Sequence, residues 1–131
     1  MIESHKLTSN SDGLEISVLT CVGNVAPKAV FQLVHGMCEH KERYVPFMEF
    51  LASKGYAVII HDHRGHGESV KSSDDLGYFY EGGWEAMIDD IRLVNKFAHS
   101  RWPGLPLVLF GHSMGSMAVR SYTKRYDDTL N

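Results

Sequence analysis

The chain has 131 residues, 44% of them hydrophobic and 22% charged, a balance that fits one globular domain around one core. A formal net charge of −3, with no cluster of Lys and Arg, excludes the basic footprint of a nucleic-acid binder. No stretch approaches the ~20 apolar residues of a transmembrane segment, and the polar opening from Met1 to Asp12 lacks the apolar centre of a signal peptide, so a cytoplasmic location is expected.

In chain order, Leu14, Ile16, Val18, Thr20 and Val22 alternate with Glu15, Ser17, Leu19 and Cys21. That is the period of a strand with one better-buried face, expected at the periphery of a sheet. Gly23-Asn24-Val25-Ala26-Pro27 is turn chemistry, and Ala29 to Val34 reads as a second strand pairing antiparallel with the first. His35-Gly36-Met37-Cys38-Glu39-His40 leaves that strand, after which Tyr44, Phe47, Met48 and Leu51 recur at helical spacing until Gly55 stops the helix. Tyr56 to His61 is a compact apolar run typical of a strand buried on both faces, so strand, helix and strand form a parallel crossover unit of an α/β protein. The two cysteines, Cys21 and Cys38, make no framework and are expected as reduced, partly buried thiols.

Asp62-His63-Arg64-Gly65-His66-Gly67-Glu68-Ser69 is a tight turn rich in side chains that hydrogen-bond backbone. His61, His63 and His66 with Asp62 and Glu68 fit no closed zinc spacing, so a structural turn is preferred to a metal site. Gly65-His66-Gly67 lacks the third glycine and the helix start of a phosphate loop, and neither a metal nor a cofactor is called for. Tyr78-Phe79-Tyr80, with Trp84, reads as core or connection packing rather than an acyl pocket. Trp84, Met87, Ile88, Ile91, Val94 and Ala98 mark one face of a helix whose early turns carry Glu85, Asp89 and Asp90, where the helix dipole favours acids. Pro106 to Phe110 is a further strand, and a last helix runs from about Met114 to Tyr126.

Between those two elements lies Gly111-His112-Ser113-Met114-Gly115. Gly-x-Ser-x-Gly between a strand and a helix is the pattern of a nucleophile elbow, a turn sharp enough to expose one serine hydroxyl. The serine backbone must then be strained, and glycines two positions either side let the crossing segments approach closely. Ser113 is the candidate nucleophile. Met114, starting the helix, offers a backbone N–H at its positive end, where a developing oxyanion is stabilised.

Three segments taken together, His35 to His40 with Arg43-Tyr44, Asp62 to Ser69, and Gly111 to Gly115, resemble the α/β-hydrolase superfamily, and most closely its monoacylglycerol lipase and lysophospholipase branch. The resemblance runs from about Asp12 onward. It implies Ser113 as nucleophile, the backbone N–H groups of Met37 and Met114 as an oxyanion hole, and a buttressing, non-chemical role for the loop holding Asp62 and Arg64. It also places His35 as a brace of the oxyanion loop rather than a base, beside Gly36, while Gly111, His112 and Gly115 shape the elbow. Ser116 stands where relatives often have another glycine. A small acyl-ester or lipid substrate follows from the resemblance.

The triad of this fold follows the order serine, acid, histidine. All eight histidines precede Ser113, and only Asp127 and Asp128 follow it as acids, too soon after the elbow for the triad acid. The expectation is therefore the N-terminal half of an α/β-hydrolase, residues 1–131 forming one incomplete domain that is inactive alone. Its sheet edge would be covered by the missing C-terminal half or by a second copy. The alternative is a non-catalytic binding or assembly protein on a truncated hydrolase scaffold.

Overall fold

A computed structural model describes residues 1–126; Asp127 and Asp128 lie outside the described residues. Eight regular elements follow one another: β1 (Ile2–Thr8), β2 (Glu15–Cys21), β3 (Val30–Val34), α1 (Val45–Ser53), β4 (Ala57–His61), α2 (Gly83–Arg101), β5 (Leu107–Gly111) and α3 (Met114–Arg125). The five strands form one mixed sheet in the order β1-β2-β4-β3-β5, with β3 parallel to both β4 and β5. This is the α/β arrangement expected, with helices on both faces.

The antiparallel hairpin at the start is made by different strands from those expected. The polar opening is itself a strand: β1 pairs antiparallel with β2 from Ile2 opposite Cys21 to Thr8 opposite Glu15. β2 does not pair with β3. It runs antiparallel to β4, Val18 opposite His61, and so lies inside the sheet, buried on both faces after Glu15. The turn chemistry after Cys21 serves a crossing to the far side of β4, because β3 has two apolar faces and gains parallel neighbours on both edges there.

Side-chain alternation assigns the faces. Leu19, Cys21, Leu33, Val58 and Ile60 pack on one face against Met48, Leu51 and Ala52 of α1. Ile16, Val18, Val30, Ile59 and Leu107 face α2 through Val94 and Ala98, and Val34 packs with Ile91 of α2 and Ala118 and Tyr122 of α3. Gly55 at φ 93° ends α1 in the left-handed conformation that glycine adopts freely. Among the described residues β5 is an edge strand, and on the α1 side Val108 and Phe110 are each 40% exposed. No described helix is long and apolar enough to cross a membrane.

Candidate active site

The carboxyl ends of the parallel strands β3, β4 and β5 deliver the loops 35–40, 62–69 and 111–115 to one side of the sheet, where α/β folds place their ligands. At the last of these, Ser113 has φ 57° and ψ −123°, a strained conformation for a residue with a Cβ. The reason is crowding at the crossing of β5 and α3. A Cβ on Gly111 would press on the backbone of Gly115 and Ser116, and one on Gly115 would overlap the carbonyls of Val34 and His35. Glycine at both positions lets the first turn of α3 lie directly on the end of β3, while the His112 N–H donates to the Val34 carbonyl at 3.1 Å. Ser113 is consequently exposed, and among the described residues its Oγ has no hydrogen-bond partner.

Gly36 is buried against the elbow: a Cβ there would fall 3.1 Å from Ser113 Cβ and 3.2 Å from the His112 carbonyl. The turn that carries Met37 therefore adjoins Ser113, as the resemblance implies. Among the described residues no hydrogen bond engages the Met37 N–H, and Met114, first in α3, carries one of the amides a helix leaves without an internal partner. The two expected oxyanion donors thus lie on adjoining segments.

His35 is fully buried. Its Nε2 accepts the His63 N–H at 3.0 Å, so the proton resides on Nδ1, which donates to the Gly36 carbonyl at 2.6 Å. His63 Nε2 in turn donates to the His35 carbonyl at 2.8 Å. With both ring nitrogens engaged, His35 is placed as a brace and has no lone pair to offer as a base. Burial lowers its pKa, lowers that of His63 well below the ordinary value, and pushes His61 down to about 3. Both nitrogens of His61, and Nδ1 of His63, are buried without partners among the described residues.

The charged groups of the loop after β4 are satisfied. Asp62 Oδ1 accepts the Lys41 N–H at 2.7 Å, and Oδ2 accepts Lys41 Nζ at 2.8 Å and the Glu68 N–H at 2.9 Å. A Cβ on Gly67 would overlap that carboxylate. The carboxylates of Glu42, Asp62 and Glu68 lie within 4.8 Å of one another, but Lys41 Nζ sits among them at 2.8 to 2.9 Å from each, supplying the positive charge. Burial opposes the Lys41 charge, yet these bonds outweigh it and raise its pKa above the ordinary value. Arg64, also fully buried, donates from Nε to Asp90 at 2.8 Å, from Nη1 to Asp12 at 2.8 Å and the Phe79 carbonyl at 3.1 Å, and from Nη2 to Ser9 at 3.0 Å. It thereby ties the β1–β2 connection and α2 to the loop.

One feature departs from expectation. Cys38 is exposed, at φ 60°, and only Cys21 is buried. Phe79 and Trp84 pack against the α2–α3 cluster and Tyr80 against the β2–α2 core, as expected, and Tyr78, Phe79 and Tyr80 also line a cavity of about 820 Å³ together with Leu76, Met37, Cys38 and His66. His112 turns its ring to solvent and to Glu39 Oε2 at 3.3 Å. Glu39, Lys41, Ser9, Asp12 and Asp90 are the organising residues that sequence reasoning missed. Only Asp90 carries a signal, as an acid among the mostly apolar buried positions of α2.

A strained serine at a glycine-flanked strand-to-helix turn, on a sheet with this order, defines the N-terminal part of an α/β-hydrolase. The family model described as serine aminopeptidase, S33, matches residues 25–131, and the chain belongs to that family. A monoacylglycerol lipase of Mycolicibacterium smegmatis is 35% identical over 76% of this chain and 34% of its own length. The monoglyceride lipase of Homo sapiens is 31% identical over 88% of this chain and 37% of its own. The crystal structure of a thermostable carboxyl esterase from Bacillus coagulans, in complex with glycerol, superposes with a TM-score of 0.91 at 29% identity, covering 98% of this chain and 42% of that one. The chain thus spans about a third of the length of these curated relatives.

Proposed function

We infer that these residues form the nucleophile-bearing part of a serine hydrolase of carboxylic esters, one incomplete domain whose triad acid and histidine lie outside residues 1–131. The observation carrying this reading is Ser113 at φ 57°, exposed on the turn between β5 and α3 and adjoined by Gly36. Ser113 Oγ attacks the ester carbonyl carbon, its proton passes to the base, and the carbonyl oxygen takes negative charge between the N–H groups of Met37 and Met114. Each such donor contributes roughly 10²–10³ in rate. Collapse of the tetrahedral adduct expels the alcohol with that proton, leaving an acyl-Ser113 that water hydrolyses by the same route. Since none of the described histidines hydrogen-bonds Ser113, the base must be brought to it.

A monoacylglycerol or lysophospholipid class of substrate is supported by the relatives' names and by the largely apolar cavity beside Met37. A cytoplasmic location is part of the same reading, consistent with the free thiols Cys21 and Cys38. The unpartnered Ser113 Oγ favours, as a second reading, a binding or assembly protein on this scaffold.

Labelling with a fluorophosphonate probe, on the full product of the gene and on residues 1–131, separates the two. We expect labelling of the full product that disappears in Ser113→Ala, and little on residues 1–131 alone. A full product that takes up no probe at Ser113 refutes the hydrolase reading and leaves the binding one.

A further inference from the structure

An oxyanion hole built from two separate segments works only if their spacing is held fixed, because its donors must already point to where charge develops. Here Met37 belongs to the turn after β3 and Met114 to the turn after β5. Glu39 joins them. Its side chain is 14% exposed, and a single oxygen, Oε2, receives the Gly36 N–H at 2.7 Å, faces His112 Nδ1 at 3.3 Å, and accepts the Tyr44 hydroxyl at 3.1 Å. The Gly36 peptide is thus gripped at both ends, its N–H by Glu39 and its carbonyl by His35. With the Gly36 N–H occupied by a carboxylate, Met37 carries the first amide of the turn that has no hydrogen bond among the described residues.

We propose that Glu39 is a positioning residue for the oxyanion hole, clamping the Met37 turn to the elbow residue preceding Ser113 and so fixing the distance between the Met37 and Met114 N–H groups. The proposal rests on the ester-hydrolase reading. A carboxylate suits the task because three donors converge on it, and bonds to an ionised acceptor are shorter and stronger than those between neutral groups. Its partial burial pushes the Glu39 pKa up, but the bonds from Gly36, His112 and Tyr44 outweigh this and hold it below the ordinary carboxylate range. Arg43 Nε, 3.9 Å from Oε1, adds to the positive surroundings.

The test uses the full-length protein and the variants Glu39→Ala, Glu39→Gln and Ser113→Ala, with active sites counted by fluorophosphonate titration. For Glu39→Ala we expect kcat per titrated site to fall on the order of 10²-fold, as for a small misplacement of catalytic groups, with KM little changed. Affinity for a boronic acid that forms a tetrahedral adduct should fall in parallel. Glu39→Gln, which still accepts the Gly36 N–H, should recover part of the loss. An unchanged kcat per titrated site would overturn the proposal, as would a loss confined to the number of sites.

A second measurement needs no turnover. Hydrogen exchange followed by mass spectrometry should show Glu39→Ala speeding exchange in both 35–40 and 111–115 while 62–69 stays protected. Faster exchange in 35–40 alone would make Glu39 a local loop stabiliser and end the proposal. If wild type and Ser113→Ala hydrolyse esters equally, the ester reading fails by itself, and the exchange data still decide whether Glu39 couples the segments.

Discussion

The loop behind the site and the face in front of it are built on opposite terms. Behind, the Asp62 to Ser69 turn closes on itself: Asp62, Arg64, Lys41 and Asp90 are buried and every charge among them has a partner of opposite sign. In front, Ser113 is exposed with its Oγ unpartnered among the described residues, and Val108 and Phe110 on the neighbouring edge strand face outward. The elbow is braced from behind by paired buried charges, while no described side chain hydrogen-bonds Ser113 Oγ. Buried charges paired in this way hold the loop in place, and such support is what an elbow strained at Ser113 requires to persist.

Acid should disturb the buried region most severely. His35, His61 and His63 stay neutral in the fold, their pKa values lowered chiefly by burial, whereas an unfolded chain binds protons at these positions near the ordinary pKa of about 6.5. Their contribution to stability is therefore whole above about pH 6.5 and is lost as pH falls below it toward the lowered values. Three such groups give a slope of up to about 4 kcal/mol per pH unit. Urea unfolding at a series of pH values measures that slope, and His61→Phe should flatten it by about a third.

Next in size is Arg64→Ala, which strands the buried Asp90 and leaves the exposed Asp12 without its guanidinium partner; chemical denaturation should register a loss of about 3–5 kcal/mol. Gly115→Ala drives a methyl into the Val34 and His35 carbonyls, and a loss of about 1–3 kcal/mol is expected, together with slower probe labelling of Ser113 because the elbow must shift. The smallest change sharpens the other side of the contrast. Val108→Lys on the edge strand should leave the stability of residues 1–131 within about 0.5 kcal/mol while lowering their self-association in sedimentation velocity.

What could be read from the sequence divides along the same line. The elbow, the crossover unit and both long helices depend on local pattern, so Gly111, Ser113, Gly115 and the α2 stripe were legible before any coordinates. β1 is not: its two apolar residues, Ile2 and Leu7, pack on opposite faces of the sheet among polar neighbours, so the edge strand shows no period-2 pattern and resembles a lead. The pairing of β2 is hidden in the sequence because a turn after Cys21 suggests a hairpin, while the sheet places β4 between β2 and β3. The supporting network was hidden for a simpler reason. Arg64 meets Asp12 and Asp90 across separations of 52 and 26 residues, and Lys41 meets Asp62 across 21, distances over which sequence carries no periodicity. Glu39 lies only three residues from Gly36, yet its reach to His112 spans 73.

In the proposed reaction the amides of Met37 and Met114 together receive the oxyanion formed at Ser113. A crystal structure of the full-length protein carrying a phosphonate on Ser113 Oγ tests it directly, since the phosphonyl oxygen stands where the tetrahedral oxyanion would. The account predicts that oxygen about 2.7–3.1 Å from both Met37 N and Met114 N. A phosphonyl oxygen bound to other donors, or to only one of these two, would contradict it.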